Sequence, residues 1–354
     1  MELPSIRVAV TEQCNLRCDY CPEDGDSVAM QAERLAREDL EWLLGAALEV
    51  GFTNFSLTGG EPLLSDNTAQ TTLELARLIN SSRSRESGYT KLNTNGANLL
   101  DYYDGILLAG FDELKISLDS LRARTFTEIS HRSKRVFDRT IDGILKAKDD
   151  IPVRLQTVVG KYNIDEIPDM IQFCIDNGLD IKLFDLSSYD NALAGSSHFA
   201  DFNFVSLADI EKNLLEQYGT PEIKLAVGGV GHAKKVFRTP TGTAIELRDS
   251  TEAAHYSDSL CGDCPRYMCQ DGLCNIVIAA DGHIQLCREG GIGQTIQTRD
   301  NDGRLGSDVQ LKDALAKAAA IFYQARPVAR SFQPHRKSLP IAVLGPQATI
   351  GCKR

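Results

Sequence analysis

The sequence predicts an α/β fold: a partial (β/α)6 TIM-like barrel over residues 1–190, a small α+β domain over 191–326, and an irregular tail over 327–354. Three observations carry this. Up to about residue 190, six apolar runs with strand character alternate with amphipathic helical segments. Polar and glycine-rich motifs follow those runs, on the loops at the C-terminal strand ends where chemistry collects in such folds. Beyond residue 190 the alternation gives way to short strands, glycine turns and a cysteine-rich loop.

Taken in order, residues 6–10 (Ile6-Arg7-Val8-Ala9-Val10) form the first strand and lead into three cysteines, with a helix at 38–50. Residues 54–58 form the second strand, followed by Gly59-Gly60-Glu61-Pro62 and a helix near 68–81. The third strand is 90–94, with a helix near 99–109. The fourth is 113–118, with helical sequence through 148. The fifth is 153–159 with a helix at 164–177, and the sixth is 181–186. Strand–helix repeats of this kind make parallel strands with right-handed crossovers. Residues 206–218 then read as a helix and 223–227, 234–238 and 244–248 as strands. Gly231-His232 leaves the pairing of the second of these strands open. Residues 276–280 and 284–287 flank Asp281-Gly282 as a hairpin, and 309–325 is helical.

Composition narrows the function. The 354 residues are 42% apolar and 25% charged, ordinary for a globular chain. A net charge of −11 argues against a general nucleic-acid binder, which needs a basic surface. No apolar run is long enough to cross a membrane, and Met1-Glu2-Leu3-Pro4 lacks the features of a signal peptide, so a cytoplasmic protein is expected. The ten cysteines fall in two groups, at 14, 18 and 21 and at five positions from 261 to 287, with Cys174 and Cys352 apart. Tight clustering in such a chain reads as two metal sites rather than disulfides.

Cys14, Cys18 and Cys21 make C-x3-C-x2-C, close enough for one loop to wrap one iron–sulfur cubane. Three thiolates leave one iron open for a substrate or cofactor. A structural zinc loop is the competing reading, but it lacks a nearby fourth ligand. With Gly59-Gly60-Glu61-Pro62, Thr94-Asn95-Gly96 and Ser117-Leu118-Asp119-Ser120 at successive strand ends, the pattern resembles the radical S-adenosylmethionine (SAM) superfamily. Arg7-Val8-Ala9-Val10-Thr11 and Leu57-Thr58-Gly59-Gly60-Glu61-Pro62-Leu63-Leu64 resemble, more narrowly, the GTP 3′,8-cyclase group of molybdenum-cofactor biosynthesis.

The resemblance implies a SAM-binding [4Fe–4S] cluster on the three cysteines, with SAM chelating the open iron. It implies that Gly59 and Gly60 let backbone approach the SAM amino group and that Glu61 accepts a hydrogen bond from it. With Pro62 and Thr94 beside them, Asn95 and Ser117 are candidates for the SAM carboxylate and ribose, and Gln156 is another of the same kind. Ser117 and Gln156 could equally be ordinary polar strand residues. Tyr20 either packs beside the cluster or adenine or belongs to the core.

The second group, Cys261-x2-Cys264-x4-Cys269-x4-Cys274-x12-Cys287, resembles the SPASM and twitch auxiliary-cluster domains, implying a second [4Fe–4S] cluster. Five cysteines compete for four positions. Cys261, Cys264, Cys269 and Cys287 are favoured; Cys274 is a buried thiol or, by the cyclase pattern, a ligand. A zinc site is the alternative. Cys174 reads as core, and Cys352 is unexplained.

Where the cyclase group has arginines, this chain has Gln13, Ile276 and Ile278, and it ends without the two glycines of that group. Isoleucine cannot replace the bidentate fork with which arginine grips phosphate. The expectation is therefore a radical SAM enzyme that is not the GTP cyclase. It would abstract hydrogen from a small-molecule or nucleotide-derived substrate, drawing electrons from a donor such as flavodoxin or ferredoxin. A maturase of a ribosomally made peptide is the alternative. The thirteen residues before Cys14 leave no room for a fused leader-recognition domain, which favours the small molecule. An iron–sulfur electron carrier is the non-enzymatic rival, and it would have no need of a SAM pocket.

Overall fold

The computed structural model describes residues 2–21, 35–83, 87–187, 196–224, 231–250, 254–264, 267, 269–287, 295–299, 303–329 and 342–343. The first half runs β1 (Ile6–Ala9), α1 (Arg37–Val50), β2 (Asn54–Thr58), α2 (Asp66–Ser82), β3 (Tyr89–Thr94), α3 (Tyr103–Ala109), β4 (Glu113–Ser117), α4 (Ala123–Ser130), α5 (Lys134–Ala147), β5 (Val153–Val159), α6 (Ile167–Asn177) and β6 (Asp180–Asp185). The second half runs α7 (Ser196–Asn203), α8 (Ala208–Tyr218), β7 (Glu222–Lys224), β8 (Lys234–Arg238), β9 (Ala244–Arg248), β10 (Ala254–Tyr256), α9 (Asp258–Cys261), β11 (Ile276–Ile278), β12 (Ile284–Gln285), β13 (Thr295–Ile296), α10 (Asp308–Tyr323), β14 (Arg326–Ala329) and β15 (Ala342–Val343).

Strands β1 to β6 are parallel neighbours in sequence order, as the strand–helix alternation requires. Strands from beyond residue 190 extend both edges of this sheet. β9 joins β6 in parallel, and β11 joins β1 in parallel with Ile6 opposite Ile276. β8 and β7 then continue one edge antiparallel, and β12 and β13 the other. The open question about residues 234–238 is thereby answered: β8 pairs with both β9 and β7.

Alternation along each strand decides which side chains meet the helices and which line the interior. In β4, Leu114 and Ile116 are fully buried in the main core, so Glu113, Lys115 and Ser117 occupy the opposite face. The same core takes Leu155 of β5 and Ile181 and Leu183 of β6, together with Leu40, Leu43 and Leu44 of α1. Cys174 of α6 is fully buried there, as expected of a core thiol.

Two expectations change. The helical stretch after the fourth strand is two helices, broken where His131 takes φ 53°, the only positive φ at a non-glycine among the described residues. The tail expected to be irregular contributes β14 and β15, which pair antiparallel with β10 as a separate three-stranded sheet. β10 needs a partner for its backbone, and Val328 supplies an apolar contact beside Ala254 and Tyr256. Cys352 lies outside the described residues.

Candidate functional site

The loop that follows β1 is held by three other loops. Gly60 N donates to Thr11 O at 2.7 Å and Glu61 N to Gln13 O at 2.9 Å. A Cβ on Gly59 would stand 2.2 Å from Thr11 O, and one on Gly60 2.2 Å from Gln13 O. The glycine pair is therefore required by the cysteine loop itself, which crosses it in backbone contact. Farther along, Arg17 N donates to Ser130 O (3.1 Å), Asp19 N to Ile129 O (3.2 Å), and Arg132 Nε to Asn15 O. The His131 ring meets the Asp19 carboxylate at 2.6 Å, so the left-handed turn at the end of α4 serves as an anchor for the loop.

Cys14 and Cys21 are exposed on this loop and Cys18 is half-buried. Burial pushes the Cys18 thiol well above its ordinary value, and the nearby charges of Asp119, Cys21 and Cys14 push it further. Burial raises the Cys14 thiol as well, and two desolvated thiols that resist ionisation suit a multivalent cationic partner. That donor set fits an iron–sulfur cluster.

Glu61 is tied into the scaffold. It is 1% exposed, and its carboxylate accepts from Leu63 N (2.8 Å), Thr94 Oγ1 (2.7 Å) and Asn95 N (2.7 Å). Burial raises its pKa to about 7 despite these bonds. The residue clamps the end of β2 to the end of β3. Asn95, held by this clamp, donates through Nδ2 to Asn15 Oδ1 (2.7 Å) and lies 3.6 Å from Cys14 Sγ. Pro62 stands in the same turn, its carbonyl accepting from Thr72 Oγ1 at 2.8 Å. Glu61→Ala would strand three buried donors, so it is expected to lower stability by about 1–3 kcal/mol. Chemical denaturation of the anaerobic protein checks this, and an unchanged midpoint would show that the clamp is dispensable.

Ser117 is exposed at the end of β4 and pairs in register with Gln156 of β5. Tyr20 donates to Asp119 Oδ2 at 2.5 Å and packs against Val158, Leu186 and Ala200. Asp119 also accepts from Val158 N at 2.8 Å, and burial lifts its carboxyl to about 6. Sequence reasoning quoted Asp119 only as part of a motif.

The interior face below these strand ends is charged, a feature the sequence reading missed. Lys91 pairs with Glu113 (2.8 Å), Glu113 with Arg154 (2.9 Å), and Arg154 with Asp180 (3.2 Å) and Glu246. Lys115 and Lys182 share this face but, among the described residues, neither has an ion pair. Burial, reinforced by Lys91, lowers Lys115 to about 7; burial, reinforced by Lys234 and Arg248, takes Lys182 well below its ordinary value. A lysine set between fully buried neighbours, as in Leu114-Lys115-Ile116, was the available signal.

The late cysteines divide. Cys261 and Cys269 pack around Ala254, Tyr256 and Val328, and Cys264 N bonds Cys261 O at 3.2 Å. Cys274 precedes Asn275, whose side chain accepts from Ser5 Oγ at 2.6 Å, so it stands at the N-terminal end of β1. The first cysteine group lies beyond the C-terminal end of the same strand. Cys287, two residues past Gln285, returns toward Cys274 along the hairpin and packs on the main core.

A family model of the radical SAM superfamily matches residues 8–174. Molybdenum cofactor biosynthesis protein 1 of Dictyostelium discoideum is 28% identical over 352 residues, which cover 98% of this chain and 51% of that one. The chain thus spans about half the length of that relative. A GTP 3′,8-cyclase of Petrotoga mobilis is 26% identical over 332 residues, covering 92% of each. Streptococcus suis SuiB bound to precursor peptide SuiA shares the fold with a TM-score of 0.56 at 16% identity, over 92% of this chain and 67% of that one. Native anSMEcpe with bound AdoMet does so with a TM-score of 0.51 at 15% identity, over 89% and 79%.

Proposed function

Because residues 8–174 form a radical SAM domain, we propose that this chain is an enzyme that cleaves SAM reductively and directs the resulting radical at a small anionic metabolite. When bound, the [4Fe–4S] cluster supplies the electron that splits SAM into methionine and a 5′-deoxyadenosyl radical. Cys14, Cys18 and Cys21 hold the cluster. Asn95, adjacent to Cys14, and the strand-end pair Ser117 and Gln156 offer polar contacts to the SAM carboxylate and ribose. Glu61 acts as a positioning residue for Thr94 and Asn95. The observation that carries this reading is the meeting of three strand-end motifs on one cysteine loop.

Substrate class is argued from the interior face. Lys115 and Lys182 are buried amines without an ion pair among the described residues, and desolvation disfavours their charged forms; a phosphate or carboxylate on the substrate would restore the charge by pairing with it. A peptide substrate is the second reading, raised by the peptide bound to SuiB. It requires an acidic peptide to answer the same lysines. A second [4Fe–4S] cluster on the late cysteines, and an electron donor such as flavodoxin or ferredoxin, complete the proposal.

GTP is expected to remain unreacted. Ile276 and Ile278 are fully buried in β11, where they can contribute nothing polar to a triphosphate. Incubating GTP with reduced, cluster-loaded enzyme and SAM checks this. Robust conversion of GTP to a cyclised product would overturn the substrate reading. Formation of 5′-deoxyadenosine from SAM under dithionite tests the enzyme class, and none above a cluster-free control would refute it.

A further inference from the structure

We propose that Asp119 keeps the reduction potential of the cluster on the first cysteine loop low, by setting a carboxylate beside Cys18 and by taking the one proton with which Tyr20 could hydrogen-bond that sulfur. The inference rests on the radical SAM reading of the loop. A hydrogen bond to a cluster sulfur makes an added electron easier to hold and raises the potential, whereas negative charge nearby lowers it. Reductive cleavage of SAM needs the low end of that range, because a sulfonium accepts an electron reluctantly.

Asp119 belongs to the Ser117-Leu118-Asp119-Ser120 stretch, and none of the contacts proposed for SAM uses it. Its backbone is pinned, the carbonyl accepting from Nδ2 of the fully buried Asn163 at 2.7 Å. Its carboxylate is aimed as well. Oδ1 accepts from Val158 N at 2.8 Å, and the Tyr20 hydroxyl donates to Oδ2 at 2.5 Å. Tyr20 reaches it from the cysteine loop, between Cys18 and Cys21. The same hydroxyl is placed to steady a Cys18 thiolate. A hydroxyl has a single proton, however, and here Asp119 takes it. Among the described residues Asp119 has no ion pair, so only two neutral donors answer its charge. That charge is felt at the sulfur: after burial, Asp119 is the strongest influence raising the Cys18 thiol. Burial and then Asp119 raise Tyr20 and Tyr162 in the same way. An electron added to a cluster ligated by Cys18 meets the same repulsion as the negative charge of a thiolate. Asparagine has nearly the shape of aspartate without the charge. Its Oδ1 can keep the bond from Val158 N, which turns its amide N–H toward Tyr20. The hydroxyl then accepts, and its own proton is free for Cys18.

The test is a redox titration, monitored by electron paramagnetic resonance, of the full-length, anaerobic, cluster-loaded protein in mildly alkaline buffer. It follows the reduced [4Fe–4S] signal that changes when SAM is added. Asp119→Asn is expected to retain its iron and to shift that potential to more positive values. Made in a Tyr20→Phe background, the same substitution is expected to give a smaller shift, since no hydroxyl is left to turn. An unmoved or more negative potential in Asp119→Asn would overturn the proposal, and so would shifts of equal size in the two backgrounds. A purely structural role for Asp119 would lower the iron content without moving the potential of the clusters that remain. If Asp119→Asn fails to load iron, Asp119→Ser, which removes the charge but leaves an acceptor for Val158 N, is read in the same way. Wild type without any SAM-responsive signal would refute the radical SAM reading itself. A SAM-responsive signal whose potential ignores Asp119 would refute this proposal alone.

Discussion

Cys18→Ala is expected to produce no 5′-deoxyadenosine from SAM in reduced, anaerobic protein and to lose about four irons per chain. Cys18 is the most enclosed of the three thiols, and its resistance to ionisation reflects both desolvation and the pressing charges of Asp119, Cys21 and Cys14. A bound cluster would offset that penalty at Cys18 and the one burial imposes on Cys14, so removing Cys18 takes away a ligand the cluster needs. The loop itself should survive. Its anchors are backbone bonds to Ser130, Ile129, Gly60 and Glu61, and none of them uses a cysteine side chain. Circular dichroism of the variant should therefore match wild type while its visible iron absorption falls. Undiminished 5′-deoxyadenosine production would remove the assignment of this loop to the initiating cluster.

Replacing Cys261 and Cys264 together is expected to take the iron content from about eight to about four per chain, with SAM cleavage retained. Cys261, at the end of α9, packs against a core that among the described residues holds Ala254, Tyr256 and Val328, and Cys264 follows three positions later. So few buried side chains give that sheet little stability of its own, and metal ligation is expected to contribute to its folding. The double variant should therefore also open the region around β10 to proteolysis, while the initiating loop keeps its own four irons. Iron analysis with limited proteolysis checks both parts. Eight irons in the variant would show that other residues hold the second cluster.

How far the sequence could be read depended on the range of the interaction. Residues 153–159 are a strand in both readings, since their apolar alternation is local. The glycine pair at 59 and 60 was legible by position, but its reason was not. The nearest obstacle is the backbone of Thr11 and Gln13, nearly fifty residues earlier. The clamping role of Glu61 was not legible, because its hydrogen-bond donors include Thr94 and Asn95 at the end of the next strand. His232 and Asp271, 39 positions apart, carry no joint signal in the sequence, yet the ring of one meets the backbone carbonyl of the other. The same holds for Lys115 and Lys182, whose strands neighbour one another only through β5.

The pairing of β1 with β11 bears on how the molecule comes into being. Ile6 leaves the ribosome 270 positions ahead of its partner Ile276. At about 5–20 residues per second, that interval lasts about 14–54 seconds. Throughout it β1 can pair on one side only, with β2, and its other edge stays open to any passing strand. The cysteine loop is complete long before that edge is covered. During synthesis this chain therefore offers a nascent metal site and an adhesive edge at once, and shielding of that edge until residues 276–278 arrive should govern the yield of folded protein.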